Sequence, residues 1–404
     1  MRKAILTMNK NVTLSNQKAS LSDASQLQLN TIDLLRFPLT IMVIFIHMNP
    51  NVINLLEADF ELLSGRGIYN VIGIVFSHVL THIAVPIFFL ISGFLFFYNI
   101  PKLSWDAYKR KVKSRTKTLF IPYILWNLVP FVLAVLGKLS LALVSSDNIG
   151  DVLSMIQEKS WHIFYDCREW GTTQTNWLGD NLRMTGPYDL PLWFLRDLIV
   201  VTVLAPLIYY AIKKLRLSFV LFLFAAYISR VWTLLPGFHI TAFFYFSTGA
   251  YFALNRLNIV TFANKYKYLL IPVCACLLVV TTIYDGTNTV IGQNVYPLFV
   301  SSGVFTAFYL ASWCISNYDV RPNKFLVSCC FFIYAFHGVG LPLIGMPLVL
   351  ITRILHKIIP GNTGIENGIV YLFAPFLTAF MCIVVLMVAR KIFPKITLLF
   401  SGNR

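Results

Sequence analysis

Charge is scarce in this chain. Only 12% of its 404 residues are charged, 57% are hydrophobic, and the mean hydropathy is +0.70. A water-soluble protein of this size needs more charge than that to cover its surface, whereas lipid tails accept apolar surface directly. The shortage excludes a soluble globular fold and leaves no sizeable soluble domain. Acidic residues are scarcer still, 17 against 33 basic ones. There is no internal repeat, no heptad run and no low-complexity tract, so solenoids and coiled coils are excluded. The first 30 residues, polar and rich in Ser, Gln and Asn, lack the apolar core and cleavage site of a leader and read as a disordered cytoplasmic tail. Cysteine usage excludes a disulfide framework. Six of the seven cysteines (Cys274, Cys276, Cys314, Cys329, Cys330, Cys382) lie in apolar segments, with Cys167 alone in an outer loop.

What remains is a succession of apolar stretches. A window of about 19 residues picks out ten candidate spans, near 32–49, 69–98, 118–145, 188–212, 217–235, 240–255, 268–284, 295–316, 325–350 and 369–389. The expected architecture is all-α: a polytopic transmembrane helical bundle of about ten spans over residues 31–395, with a short C-terminal tail at 396–404. Pro86 and Pro342 fall inside long spans, where a kink or re-entrant segment is expected because neighbouring helices satisfy the freed carbonyls.

Lys and Arg set the orientation. With both termini cytoplasmic, inner segments carry 23 of them and outer loops 6, the asymmetry expected of inward-facing positive charge. The net charge of +16 then reports topology, and nucleic acid is not an expected partner.

Ionisable side chains within spans are costly in lipid and usually functional. Arg36 and His47 sit eleven residues apart in TIDLLRFPLTIMVIFIHM. Three helical turns put them on one face, about 16 Å apart along the axis. Asp33 is one turn before Arg36. The alternatives are bland: Arg36 snorkelling to headgroups, His47 facing the interface. Arg196 and Asp197 are adjacent in a later span, and neighbours on a helix do not face each other, so different partners are expected for them. Tyr334 and His337 share a face at i, i+3. His78 and His82 have metal-compatible i, i+4 spacing but no acidic third ligand nearby, so hydrogen bonding between helices is expected and a metal is not. The outer stretch 146–187 places Trp161, Trp170 and Trp177 among carboxylates, a composition suited either to sugar rings or to an interfacial anchor.

Four blocks in order carry a family resemblance: Asp33-x-x-Arg36 followed by His47; Pro86-Ile-Phe-Phe-Leu-Ile-Ser92-Gly93-Phe94; Leu192-Trp193-Phe194-Leu195-Arg196-Asp197-Leu198; and Ser328 through Tyr334-x-x-His337. Together they resemble the membrane-bound acyltransferase family 3 over about residues 30–395. The resemblance implies an acyl donor, usually cytoplasmic acetyl-CoA, with no permanently bound cofactor. The implied acceptor is a carbohydrate hydroxyl facing outward or linked to lipid. His47 would then be the base or acyl-accepting group and Arg36 the anchor for the donor. Asp33, Trp193, Arg196, Asp197, Tyr334 and His337 would line the donor or acceptor site. The implied home is a bacterial inner membrane, with glycan-assembly proteins as further partners. The competing class is a glycan exporter or flippase, which would also want a polar path but would have no need of His47 as a base.

Overall fold

The computed structural model describes residues 2–48, 51–100, 102–145, 149–175, 181–233, 235–287, 289–358 and 363–403. Helix α1 (Arg2–Met48) runs without a break because residues 2–37 contain neither Gly nor Pro. This departs from the expected disordered tail. The span proper begins at Asp23, and Gln28 is buried, its Oε1 accepting from the Ile259 backbone N–H. Gln28, a polar residue within the span, is therefore packed because it caps the first turn of a distant helix.

The second span is interrupted. Helix α2 (Gly65–Gly73) passes into a π-helical turn at Ile74–Val79 and a 3-10 turn at Leu80–Ile83 before α3 (Ala84–Phe97). Pro86 near the start of α3 lacks the N–H that a regular helix would use, so the chain reaches it through irregular turns. Those turns carry His78 and His82. Helix α4 (Trp105–Arg115) joins α5 (Ile121–Ser145) through another π turn.

The stretch after α5 holds α6 (Ile149–Lys159) and a two-stranded hairpin, a small addition to an otherwise helical fold. Strand β1 (Arg168–Thr175) pairs antiparallel with β2 (Asn181–Gly186). Trp177 lies outside the described residues, and of Trp170 only the backbone is described.

Helices α7 (Trp193–Val203) and α8 (Ala205–Leu215) meet at a 61° bend, and α9 (Leu217–Ser229) and α10 (Ile240–Leu254) follow. Helix α11 (Ile259–Lys265) meets α12 (Lys267–Ile283) at 81°. The chain finishes with α13 (Val290–Tyr318), α14 (Lys324–Ile358), α15 (Thr363–Ile392) and α16 (Pro394–Phe400). Among the described residues, five helices are long and apolar enough to cross a membrane, or seven if each bent pair is one span. Three shorter apolar helices accompany them.

Helices α3 and α10 form the tightest seam. A Cβ on Gly93 would lie 2.0 Å from the Phe246 carbonyl oxygen, and one on Gly249 would lie 2.0 Å from that of Leu90. Each glycine admits the other helix's backbone, the usual way to bring helices close where lipid gives no hydrophobic push. The fully buried Phe89, Phe94, Phe96 and Phe246 fill the space around it.

Candidate active site

His47 ends α1 against α14, where its ring centroid lies 5.2 Å from that of His337, the planes inclined at 46°. His337 is fully buried. Its Nδ1 donates to the carbonyl oxygens of Tyr334 (2.7 Å) and Ile333 (3.2 Å). A carbonyl only accepts, so the proton of the neutral ring sits on Nδ1 and the lone pair on Nε2. That Nε2 is buried and has no hydrogen-bond partner among the described residues. An open acceptor is thus enclosed beside a second imidazole.

His47 opens onto a cavity of about 780 Å³. One wall comes from the irregular second span, with His82 and Pro86. A second comes from Pro191, Trp193, Phe194 and Tyr334. Tyr334 Oη donates to the Pro191 carbonyl, which fixes the ring and leaves its face toward the space. The remaining wall belongs to two turns: residues between α9 and α10, including Arg230 and Trp232, and residues between α12 and α13, including Tyr284 and Asp285. His82 Nδ1 and Thr281 Oγ1 are buried in this wall without hydrogen-bond partners among the described residues.

The expected site residues divide. His47, Trp193 and Tyr334 line the cavity, and His337 packs on His47. Arg196 and Asp197 stand outside the wall. Contrary to the expectation of separate partners, they bind each other: Arg196 Nε donates to Asp197 Oδ1 at 2.9 Å. The long guanidinium folds back over the first turn of α7, which fixed helical spacing does not prevent. Arg196 Nη1 also donates to the carbonyls of Tyr165 (2.7 Å) and Thr185 (3.3 Å), tying the segment between α5 and α7 to the bundle. Tyr165 Oη in turn donates to the Pro236 carbonyl, in the turn leading to α10. Gly237 follows with φ +83°, a left-handed conformation that glycine takes without strain. Arg196 therefore reaches the cavity only through the turn it steadies.

Asp33 and Arg36 lie three turns of α1 away from His47, paired at 3.4 Å and partly exposed. Residues 146–187 contribute nothing to the cavity wall among the described residues. His78 hydrogen-bonds across elements as expected, its Nδ1 donating to Asp285 Oδ2 at 2.7 Å, whereas His82 Nδ1 finds no such partner. Sequence reading missed Tyr227, Trp232, His239, Asp285 and Tyr296 as cavity residues. The one available signal was Asp285 in the short polar turn Tyr-Asp-Gly-Thr between two apolar segments. Nothing in its spacing ties it to His78, 207 positions earlier.

The arrangement has the parts a proton-transfer site needs: an imidazole at a cavity, a second of fixed tautomer beside it, and aromatic walls. The family described as an acyltransferase domain matches residues 29–390. The succinoglycan biosynthesis protein ExoH of Rhizobium meliloti (strain 1021) is 23% identical over 389 residues, which cover 92% of each chain. No solved structure matches. With the four sequence blocks, the apolar helices and a match over nearly its whole length, the chain belongs to the membrane-bound acyltransferase family 3.

Proposed function

We propose that this acyltransferase moves an acyl group, acetyl in the first instance, from cytoplasmic acyl-CoA to a hydroxyl of a carbohydrate that is extracytoplasmic or lipid-linked. The observation that carries the reading is the enclosed pairing of His47 with His337 at the cavity wall. The name of the 23%-identical relative, a succinoglycan biosynthesis protein, supports a polysaccharide acceptor. The membrane is a bacterial inner membrane crossed ten times, counting the long helices, the bent pairs and the three short apolar helices, with both termini cytoplasmic.

In this reading Arg36 meets the donor's phosphates on the inner side. A guanidinium binds phosphate bidentately and stays charged in a low dielectric. The extended pantetheine arm follows α1 toward His47. His47 takes the proton of the acceptor hydroxyl as its oxygen bonds to the thioester carbon. The C–S bond then breaks, and CoA leaves as a thiolate that is reprotonated to the thiol. His337, packed ring against ring with His47, holds that imidazole in place. Trp193 and Tyr334 hold the acceptor against the reacting centre.

The test is CoA release by the purified, detergent-solubilised full chain given acetyl-CoA, a slow hydrolysis in which water takes the place of the acceptor hydroxyl, alongside His47→Ala. The expected result is donor binding by both and turnover by the wild type alone. Absence of acetyl-CoA binding by both folded proteins would sink the reading and return the exporter class to the front.

A further inference from the structure

The turn between α12 and α13 contains an aspartate whose carboxylate and backbone are each held by another part of the chain. His78 Nδ1 donates to Asp285 Oδ2 at 2.7 Å, and Asn54 Nδ2 donates to the Asp285 backbone carbonyl. His78 comes from the π turn before Pro86, and Asn54 from the segment after α1. Three separate parts of the chain thus meet at this residue, His78 orienting its carboxylate and Asn54 holding its backbone. The interaction does not close a gap in the bundle, since Asp285 stands in the cavity wall that also contains His47. With Oδ2 engaged by His78, Oδ1 makes no hydrogen bond among the described residues. A carboxylate held this way is an acceptor for hydroxyl donors, and two vicinal hydroxyls are the group it fits best.

The surroundings match a sugar ring. Tyr284, Tyr296, Trp232 and Trp193 stand in the same wall and offer aromatic faces to C–H surfaces. Trp232 is itself positioned, its Nε1 donating to the Phe238 carbonyl at 2.6 Å. Fixed polar groups among aromatic surfaces are the composition of a small-molecule site.

We infer that Asp285, oriented by His78 and Asn54, is the specificity-determining residue of the acceptor subsite, binding hydroxyls of the carbohydrate and thereby aiming a neighbouring hydroxyl at His47. This rests on the acyltransferase reading above and moves acceptor recognition away from residues 146–187. Asp285 takes no part in donor chemistry, so donor and acceptor functions separate on substitution.

Two measurements on the full-length protein test this. One is CoA release by slow hydrolysis of acetyl-CoA in purified protein, with water in the place of the acceptor hydroxyl. The other is the acyl content of the cell's own polysaccharide in a strain deleted for the chromosomal copy and supplied with each variant. Asp285→Asn is expected to lower polysaccharide acylation by about tenfold or more, the cost of a lost hydrogen bond to a charged group, and to leave CoA release within about twofold. His78→Phe, which frees the carboxylate, is expected to give the same split in weaker form, and Asp285→Glu to restore part of the acylation. Unchanged acylation in Asp285→Asn overturns the assignment. So does an equal fall in CoA release and acylation with Asp285→Glu no better, since that marks a packing role. A wild type that neither releases CoA nor restores acylation overturns the acyltransferase reading itself, and the subsite with it.

Discussion

Arg36 on α1 keeps 26% of its side chain exposed and meets Asp33 at 3.4 Å, whereas Arg196 on α7 is 4% exposed and makes three hydrogen bonds, one to its neighbour Asp197 and two to backbone carbonyls. In sequence the two look alike, each an arginine inside an apolar helix with an aspartate close by. Their settings separate them. The Nε and Nη1 donors of Arg196 are engaged by the protein and its side chain is buried, so its charge is part of the fold. Arg36 lies midway along the α1 span, partly exposed and held by a longer ion pair, and can exchange partners. A buried charge is costly to strand, while a half-exposed one is cheap to release. An intramembrane arginine therefore reports on function only after its hydrogen bonds have been counted.

The largest way to break this comparison is Arg196→Ala. It leaves the fully buried Asp197 carboxylate uncompensated and frees the outer segment, a loss of about 3–5 kcal/mol. The expected outcome is loss of the monodisperse peak in detergent size-exclusion chromatography, and a folded, active variant would contradict the structural role. His47→Ala comes next. Removing a proton acceptor lowers transfer by about a thousandfold with the same elution profile as wild type, and retention of more than a tenth of the activity would name another base. Arg36→Ala is expected to raise the KM for acyl-CoA by about tenfold with kcat nearly kept, and Arg36→Lys to fall between, as suits a phosphate contact. A drop in kcat without a change in KM would place Arg36 in the chemistry instead. The smallest effect is expected from Trp161→Ala. Trp161 is 59% exposed, stacks on His162 and lies outside the cavity wall, so stability should change by less than about 0.5 kcal/mol and transfer should not change. Strong loss of acceptor use in this variant would restore the outer segment as a recognition element.

Sequence reading found much of the fold because lipid leaves few choices. Apolar stretches of sufficient length become helices, and the first bent pair and the short apolar helices fall largely within the stretches it marked, whereas Ile259–Lys265 of the second bent pair lies between two of them. It misjudged the ends of these elements. Gln28 looked like part of a polar tail, yet its amide oxygen caps a backbone N–H 231 residues away. The hairpin at 168–186 was equally hidden, since its residues carry no clean alternation. For the site, His47, His337, Trp193 and Tyr334 were legible as polar or aromatic groups in apolar helices. The role of Arg196 was not, because local spacing says nothing about carbonyls contributed by a distant segment.

The amino-acid sequence by itself determined the solvent of this protein, its helical class, and which few side chains would be expensive enough in lipid to matter. Those properties follow from composition and local period, which need no knowledge of neighbours. The tertiary structure alone decided which costly groups meet. It set His47 against His337, closed Arg196 onto Asp197, and brought His78 of one irregular turn to Asp285 of another. Such pairings depend on how helices pack. In a membrane that packing is set by close contacts such as those of Gly93 and Gly249, which one-dimensional spacing does not contain.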